Sequence, residues 1–299
     1  MTSVMLVGDE RKGGTRASIE DFADWLRGQV DTVTVVLDRD ESLDHHESDL
    51  VVVLGGDGSM LATARRMGSN QAPTLGINLG RLGFLTAFRH DQAREAVAMA
   101  LRGELVEERR MMLTCHVQRE GGEMTPPVLC LNDGVLTRAA SAGIVVITAE
   151  RVGRELATYS GDGVIVATAI GSTAYSLAAG GPVITPNLDA LVLTSLAPHS
   201  LTVRPLVVPS QDGLDLVVKE GGGESNCALV VDGQVSLEVA VGERVCLRPS
   251  DVEFLHLTRG PDSFFEILRE KFGWADTPRQ RVRDLGGADT PLPESDQVE

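Results

Sequence analysis

The stretch Leu50–Met60, LVVVLGGDGSM, runs from five aliphatic residues straight into a turn of glycine, aspartate and serine. Leu50–Leu54 has the length and β-branched content of a strand buried on both faces, as in a parallel sheet. SMLATARRM, from Ser59, then carries a helical composition. Gly55-Gly56-Asp57-Gly58-Ser59 therefore sits where a strand hands over to a helix N-terminus. Such a terminus attracts anions through its unpaired N–H groups and the positive end of its dipole. Glycines let the backbone approach a phosphate and take positive φ, and Ser59 reads as the N-cap. Gly55, Gly56, Gly58 and Ser59 are thus candidate phosphate-binding residues. A tight βα turn that binds nothing would also use Gly-Gly and Asp-Gly, but Asp57 argues for more. A carboxylate among phosphate-facing amides opposes an anion. It suits accepting the proton of an attacking hydroxyl, or helping to hold a cation.

Working outward, VMLVG, VTVVL and TLGIN read as further strands, and SIEDFADWLRG and DQAREAVAMALRG as helices closed by Gly28 and Gly103. This alternation predicts an open, Rossmann-like α/β layer over residues 1–110. After Met111 the texture changes to short β-rich runs broken by Gly, Pro and Asp: MLTCHVQ, GIVVITAER, LVLTSLA, LDLVVKE, NCALVVDGQ and ERVCLRP. These predict an antiparallel β domain with hairpins over 111–254. Helical texture returns in SFFEILREKFGW, and the unpatterned tail 276–299 reads as disordered.

Composition excludes several classes. With 42% hydrophobic and 23% charged residues the 299-residue chain is ordinary for a globular protein. Its formal net charge of −16 repels nucleic acid and anionic membranes, so neither is an expected partner. No run approaches the ~20 apolar residues of a membrane span. The first residues lack the basic start of a signal peptide, and four dispersed cysteines suit buried, reduced thiols. The expected location is cytoplasmic. A Walker-type loop is absent: Gly8–Thr15, GDERKGGT, puts Gly14 where the lysine belongs. Arg11 and Lys12 nevertheless lie where donor phosphates could reach them. His45-His46 reads as an exposed pair in an acidic loop.

Further segments narrow the reading. GINLGRLGFLT (Gly76–Thr86), LND (Leu131–Asp133), GDGVIVATAIGSTAYSLAAGGPVITP (Gly161–Pro186), LAPHSLTVRPLVV (Leu196–Val208) and the closing REKFGW follow GGDG in order. Together they closely resemble the bacterial NAD kinase family, which shares GGDG with lipid kinases and 6-phosphofructokinases. The resemblance implies an α/β N-terminal domain of phosphofructokinase-like type, a β-sandwich, and a terminal helix returning to the first domain, which groups 255–275 with 1–110. It implies transfer of the terminal phosphoryl of ATP, or of polyphosphate in some members, to the 2′-hydroxyl of NAD. It also implies Mg²⁺ and a homodimer or homotetramer.

By similarity, Asp57 and Gly58 would lie beside the adenosine ribose, with Asp57 as proton acceptor. Asn132 and Asp133 would contact riboses and adenine, and Asp162 the nicotinamide half. Thr173, Ala174, Tyr175, Ser176 and Ala178 would wrap the adenosine. Ala197 and Gln234 match two further contacts, and Phe84 an aromatic near the adenine. On pattern alone Asn132-Asp133-Gly134 also reads as a hairpin turn, and Asp232-Gly233 as another, which leaves Asp232 a purely turn-forming role.

This chain departs from the family at two places. Ala169-Ile170 replaces the usual Pro-Thr, so donor binding is expected to differ. Asp133 stands where Glu is commonest. The rival readings are a lipid kinase of the diacylglycerol kinase type, disfavoured by the net charge, and a non-catalytic NAD(P)-binding regulator.

Overall fold

The computed structural model describes residues 1–9, 15–139, 143–220 and 227–273. Arg11, Lys12, Trp274 and the tail 276–299 lie outside the described residues. Strands β1 (Ser3–Val7), β2 (Thr32–Val36), β3 (Leu50–Leu54) and β4 (Thr74–Asn78) form a parallel layer in the order β4-β3-β1-β2. Helices α1 (Thr15–Arg27), α2 (Asp57–Arg66) and α3 (Ala93–Leu101) flank it. Every residue of β3 is buried because alternate side chains meet different helices. Leu50, Val52 and Leu54 pack with Ile19, Phe22 and Leu26 of α1. Val51 and Val53 pack with Met60, Leu61 and Ala64 of α2. The third helix starts later than its sequence suggests. His90–Gln92 forms a 3-10 turn first, fixed by Arg89 N–H donating to Gln92 Oε1 at 3.1 Å.

The β-rich part comprises β5 (Phe88–Arg89), β6 (Val106–Gln118), β7 (Val128–Cys130), β8 (Asp133–Arg138), β9 (Val145–Arg151), β10 (Arg154–Gly161) and β11 (Gly163–Ala167). Then come the short helix α4 (Tyr175–Ala178), β12 (Ala190–Leu196), β13 (Leu206–Pro209), β14 (Leu214–Glu220), β15 (Cys227–Val231), β16 (Val235–Val239), β17 (Arg244–Thr258) and helix α5 (Ser263–Phe272). A six-stranded sheet in the order β13-β12-β11-β8-β15-β16 packs on β6, β9, β14 and β17. Leu113, Val117, Leu136, Val166, Leu229 and Leu247 belong to the core between them.

The two halves share a sheet. β6 and β17 pair antiparallel along their length, from Gln118↔Arg244 to Val106↔Thr258, and His256 pairs in parallel with Thr74 of β4. The divisions expected at 110/111 and 254/255 therefore fall inside two continuous strands, not in linkers. Helix α5 returns to the first half, with Phe264 and Phe272 each 5.9 Å from the Phe84 ring. Asn132-Asp133-Gly134 is not a hairpin turn. β7 lies in the large sheet and β8 in the small one, so the bend at Leu131-Asn132 carries the chain between sheets. Cys115, Cys130, Cys227 and Cys246 are buried and free. Among the described residues no helix is long and apolar enough to cross a membrane.

Candidate active site

The glycine-rich turn differs from expectation in two respects. Helix α2 begins at Asp57 with Gly56 as its N-cap, so Ser59 lies inside the first turn and is not the cap. Gly55, Gly56 and Gly58 are also absent from the positive-φ glycines. At Gly55 alone of the three is glycine required for space. A side chain at Gly55 would overlap the Ser59 hydroxyl, while one at Gly56 would meet nothing within 4 Å, so the helix N-terminus is open to an incoming group.

Asp57 is held by the segment that follows β4. Phe84 N–H donates to its Oδ2 at 2.9 Å, and Leu85 N–H and the Thr86 hydroxyl to its Oδ1 at 3.0 and 3.1 Å. This close approach depends on Gly83, where any Cβ would overlap Asp57 Oδ1. The carbonyl of Leu85 is pinned from the other side by His256 Nε2 at 3.1 Å. Burial, and then the nearby Arg110, depress the His256 pKa to about 4. The ring is thus neutral at physiological pH and donates to that carbonyl.

Two adjoining cavities of about 360 and 380 Å³ open on the six-stranded sheet. Asn132, Asp133, Ala174 and Asp232 line the first; Arg138, Asp162 and Ala197 line the second. Thr137, Tyr175 and Leu196 are shared. Tyr175 is 49% exposed and stands at the junction. In the second cavity Arg138 Nε donates to Asp162 Oδ1 at 2.8 Å, and Ala197 holds a left-handed φ of 41°. The volumes suit small-molecule ligands, and two linked chambers suit a ligand with two halves.

Asn132 and Asp133 owe their placement to a residue that sequence reasoning dismissed. Asp232 does sit in a turn, with φ 50°, but its carboxylate is buried and works. It accepts N–H bonds from Leu131, Asn132 and Asp133 at 3.0, 2.7 and 3.2 Å, and the Cys130 thiol at 3.4 Å. That grip fixes the bend between the sheets. It leaves the Asn132 and Asp133 side chains lining the cavity, and Asn132 Oδ1 is buried without a partner among the described residues. Burial pushes both carboxyls up. Only Asp232 is offset by backbone N–H groups and by Arg65 Nη1, 3.8 Å away. The proton of the pair therefore resides on Asp133, which burial and the Asp232 charge raise to about 7.

The tip of the β15–β16 hairpin joins these parts. Gln234 Nε2 donates to the Gly58 carbonyl at 2.8 Å, and its Oε1 accepts from Arg65 Nη2 at 2.6 Å. Asp232 and Gly233 face the first cavity. On the other side Gln234 lines a cleft of about 150 Å³ with Gly8, Arg39, Gly58, Ser59 and Arg66, beyond the carboxyl end of β1. Open parallel sheets bind ligands at such ends. Arg39, Arg65 and Arg66 carried no distinguishing sequence signal.

Four further candidates lie differently from their assigned surroundings. Phe84 lines a separate crevice with Ile170 and Thr173, and Lys271 Nζ sits 4.7 Å over its ring. Ser176 is fully buried, with its hydroxyl 2.8 Å from that of Thr194. Thr173 donates its hydroxyl to Ile170 O at 3.0 Å, and Ala178 is exposed at the end of α4. Ala169 and Ile170 are both buried, and Ile170 packs with Met60, Leu61, Leu85 and Phe254. The departure from Pro-Thr thus mainly changes interior packing, with Ile170 reaching only the wall of the Phe84 crevice. His46 is half-buried beside Glu41 at 3.2 Å, while His45 is exposed.

Solved structures define the class of this architecture. A yeast NADH kinase complexed with NADH superimposes with a TM-score of 0.84 at 23% identity, over 93% of this chain and 89% of that one. This likeness is one of fold. An NAD kinase from Archaeoglobus fulgidus in complex with ATP gives 0.71 at 27% identity, over 91% and 98%. The sequence is more specific. Residues 7–105 match the ATP-NAD kinase N-terminal domain and 115–258 its C-terminal domain. The NAD kinase of Heliobacterium modesticaldum is 40% identical over 261 residues, 84% of this chain and 91% of that protein. That of Desulforamulus reducens is 34% identical over 282 residues, 91% and 97%. The chain belongs to the NAD kinase family.

Proposed function

We propose that this enzyme transfers the terminal phosphoryl group of ATP to the 2′-hydroxyl of the adenosine ribose of NAD, yielding NADP and ADP. The observation that carries the reading is the position of Asp57. Its turn is tied through Gly58 to the hairpin tip that walls both the arginine-bearing cleft and the first cavity. In this reading the triphosphate enters the cleft, where Arg39, Arg66 and the α2 N-terminus offset the net charge of −16. The dinucleotide occupies the two chambers, with its base and ribose on the Asn132, Asp133 and Tyr175 side. The Asn132 amide, which lines the first chamber, then meets the nucleoside, and protonated Asp133 can donate.

Phosphoryl transfer requires positioning and charge compensation more than covalent help. Asp57 orients the hydroxyl early and takes its proton late, so it contributes to kcat more than to KM. Mg²⁺ enters as part of the Mg·ATP substrate. Among the described residues, the group of side chains with converging ligand atoms is Glu41, His45 and His46. That nitrogen-rich surface set does not suit Mg²⁺.

The test is purified protein with Mg·ATP and NAD, NADH or diacylglycerol, then with polyphosphate replacing ATP, following ADP and NADP. NAD-dependent ADP release with matching NADP supports the proposal. Tight NAD binding without product would instead identify a non-catalytic binder, and product only with diacylglycerol a lipid kinase.

A further inference from the structure

Asp57 has two carboxylate oxygens that the protein treats unequally, and the difference traces to a buried pair outside the glycine-rich turn. Asn78 closes β4 and is 5% exposed; Thr86 is fully buried. Gly80 N–H donates to Asn78 Oδ1 at 2.6 Å, which fixes the amide orientation. Asn78 Nδ2 therefore faces Thr86 and donates to its Oγ1 at 2.8 Å. A hydroxyl carries a single proton. With Oγ1 already accepting from Asn78, that proton is directed to Asp57 Oδ1, 3.1 Å away.

An ionised carboxylate offers about four lone-pair sites over two oxygens. Oδ1 accepts two protein donors, Leu85 N–H and Thr86 Oγ1. Oδ2 accepts one, Phe84 N–H. Among the described residues' bonds, Oδ2 is therefore the oxygen that keeps a site for a further donor.

We infer that Thr86, oriented by Asn78, is a positioning residue that saturates Asp57 Oδ1 and so commits Oδ2 to receive the proton of the acceptor hydroxyl. As the hydroxyl oxygen bonds to the γ-phosphorus, the bond from that phosphorus to the β,γ-bridging oxygen breaks. Its electron pair leaves on ADP, and the hydroxyl proton ends on Oδ2. Without the Thr86 hydroxyl, Oδ1 regains a free site and the carboxylate can meet the substrate through the wrong oxygen or rotate away. The tight surroundings make Thr86 specific: a side chain at Gly83 would crowd its hydroxyl, and one at Gly76 would sit 3.0 Å from its methyl.

This inference rests on reading Asp57 as the proton acceptor, and the experiment separates the two. Thr86→Val keeps the shape and deletes the donor; Thr86→Ser keeps the donor. Thr86→Val should lower kcat by roughly tenfold or more with the NAD KM within about threefold, and Thr86→Ser should recover most of it. Thr86→Ala, which deletes the same donor, should show the same kcat-specific loss and serves if the valine variant does not fold. In an Asp57→Asn background Thr86→Val should cause little further loss, because both act through one carboxylate. A kcat within twofold of the parent in Thr86→Val or Thr86→Ala, no recovery with serine, or a full additional loss on Asp57→Asn would overturn the inference. A fully active Asp57→Asn would instead remove the reading on which it rests.

Discussion

The glycine-rich turn and the bend between the sheets each hold an acid that is proposed to meet the substrate, and they do so in opposite ways. At the turn, the side chain of Asp57 is gripped by Phe84, Leu85 and Thr86. At the bend, Asp232 grips the backbone, and the side chains of Asn132 and Asp133 are left to the cavity. A group held by its own protein is aimed for one event at one atom. A group left without partners is available for recognition, and it is satisfied only when the ligand arrives.

The contrast predicts which kinetic constant each region controls. Asp57→Asn should lower kcat by roughly 10² or more while the NAD dissociation constant stays within a few-fold; steady-state rates and an NAD titration check both. Asp232→Ala should act the other way. It leaves three backbone N–H groups without an acceptor, so stability should fall by on the order of 3 kcal/mol, with the NAD KM raised roughly tenfold. Thermal melts and rates at saturating NAD separate these effects from a loss of kcat.

A smaller effect comes from Asp133, whose carboxyl is raised from 3.8 to about 7. Below pH 7 it is neutral and donates; above, it adds charge beside an anionic ligand. NAD affinity should fall as pH rises through 7, and Asp133→Asn should flatten that dependence. For folding the sign is the same. The folded chain keeps a proton that the unfolded chain has released, so this group's stabilising contribution is present below pH 3.8 and is lost as pH rises to about 7. Denaturant melts at pH 5 and pH 8 measure it. The smallest effect belongs to the buried departure from the family pattern. Ile170→Thr should lower stability by about 1–2 kcal/mol, through lost packing and a buried hydroxyl, with donor and NAD KM nearly unchanged. A donor-specific change in KM would return that side chain to the donor site.

The legible parts of the molecule were those where one physical signal dominates. LVVVL could only be a buried strand, and the turn after it had to meet a helix. The motifs from Gly161 onward carried the family. The sandwich was legible as alternating strands, but the continuity of β6 and β17 through both halves was not, because local patterning says nothing about which sheet a residue joins. Asp232 was missed because an Asp-Gly turn and a buried backbone clamp look identical in sequence. The clamp exists only once Leu131–Asp133, a hundred residues earlier, folds against it. Thr86 and Asn78 were invisible for the same reason, as an ordinary strand end and an ordinary threonine. The Ala169-Ile170 departure was expected to change donor binding, and nothing local in the sequence showed that Ile170 packs with Met60, Leu61 and Phe254.

The proposed transfer turns on where a single proton goes, and a crystal structure with NAD bound observes that geometry directly. The prediction is that the ribose 2′-hydroxyl lies about 2.6–3.2 Å from Asp57 Oδ2, while Oδ1 remains held by Leu85 and Thr86. An Asp57 side chain turned away from the ribose, or a 2′-hydroxyl bonded to another residue with Asp57 out of reach, would contradict it.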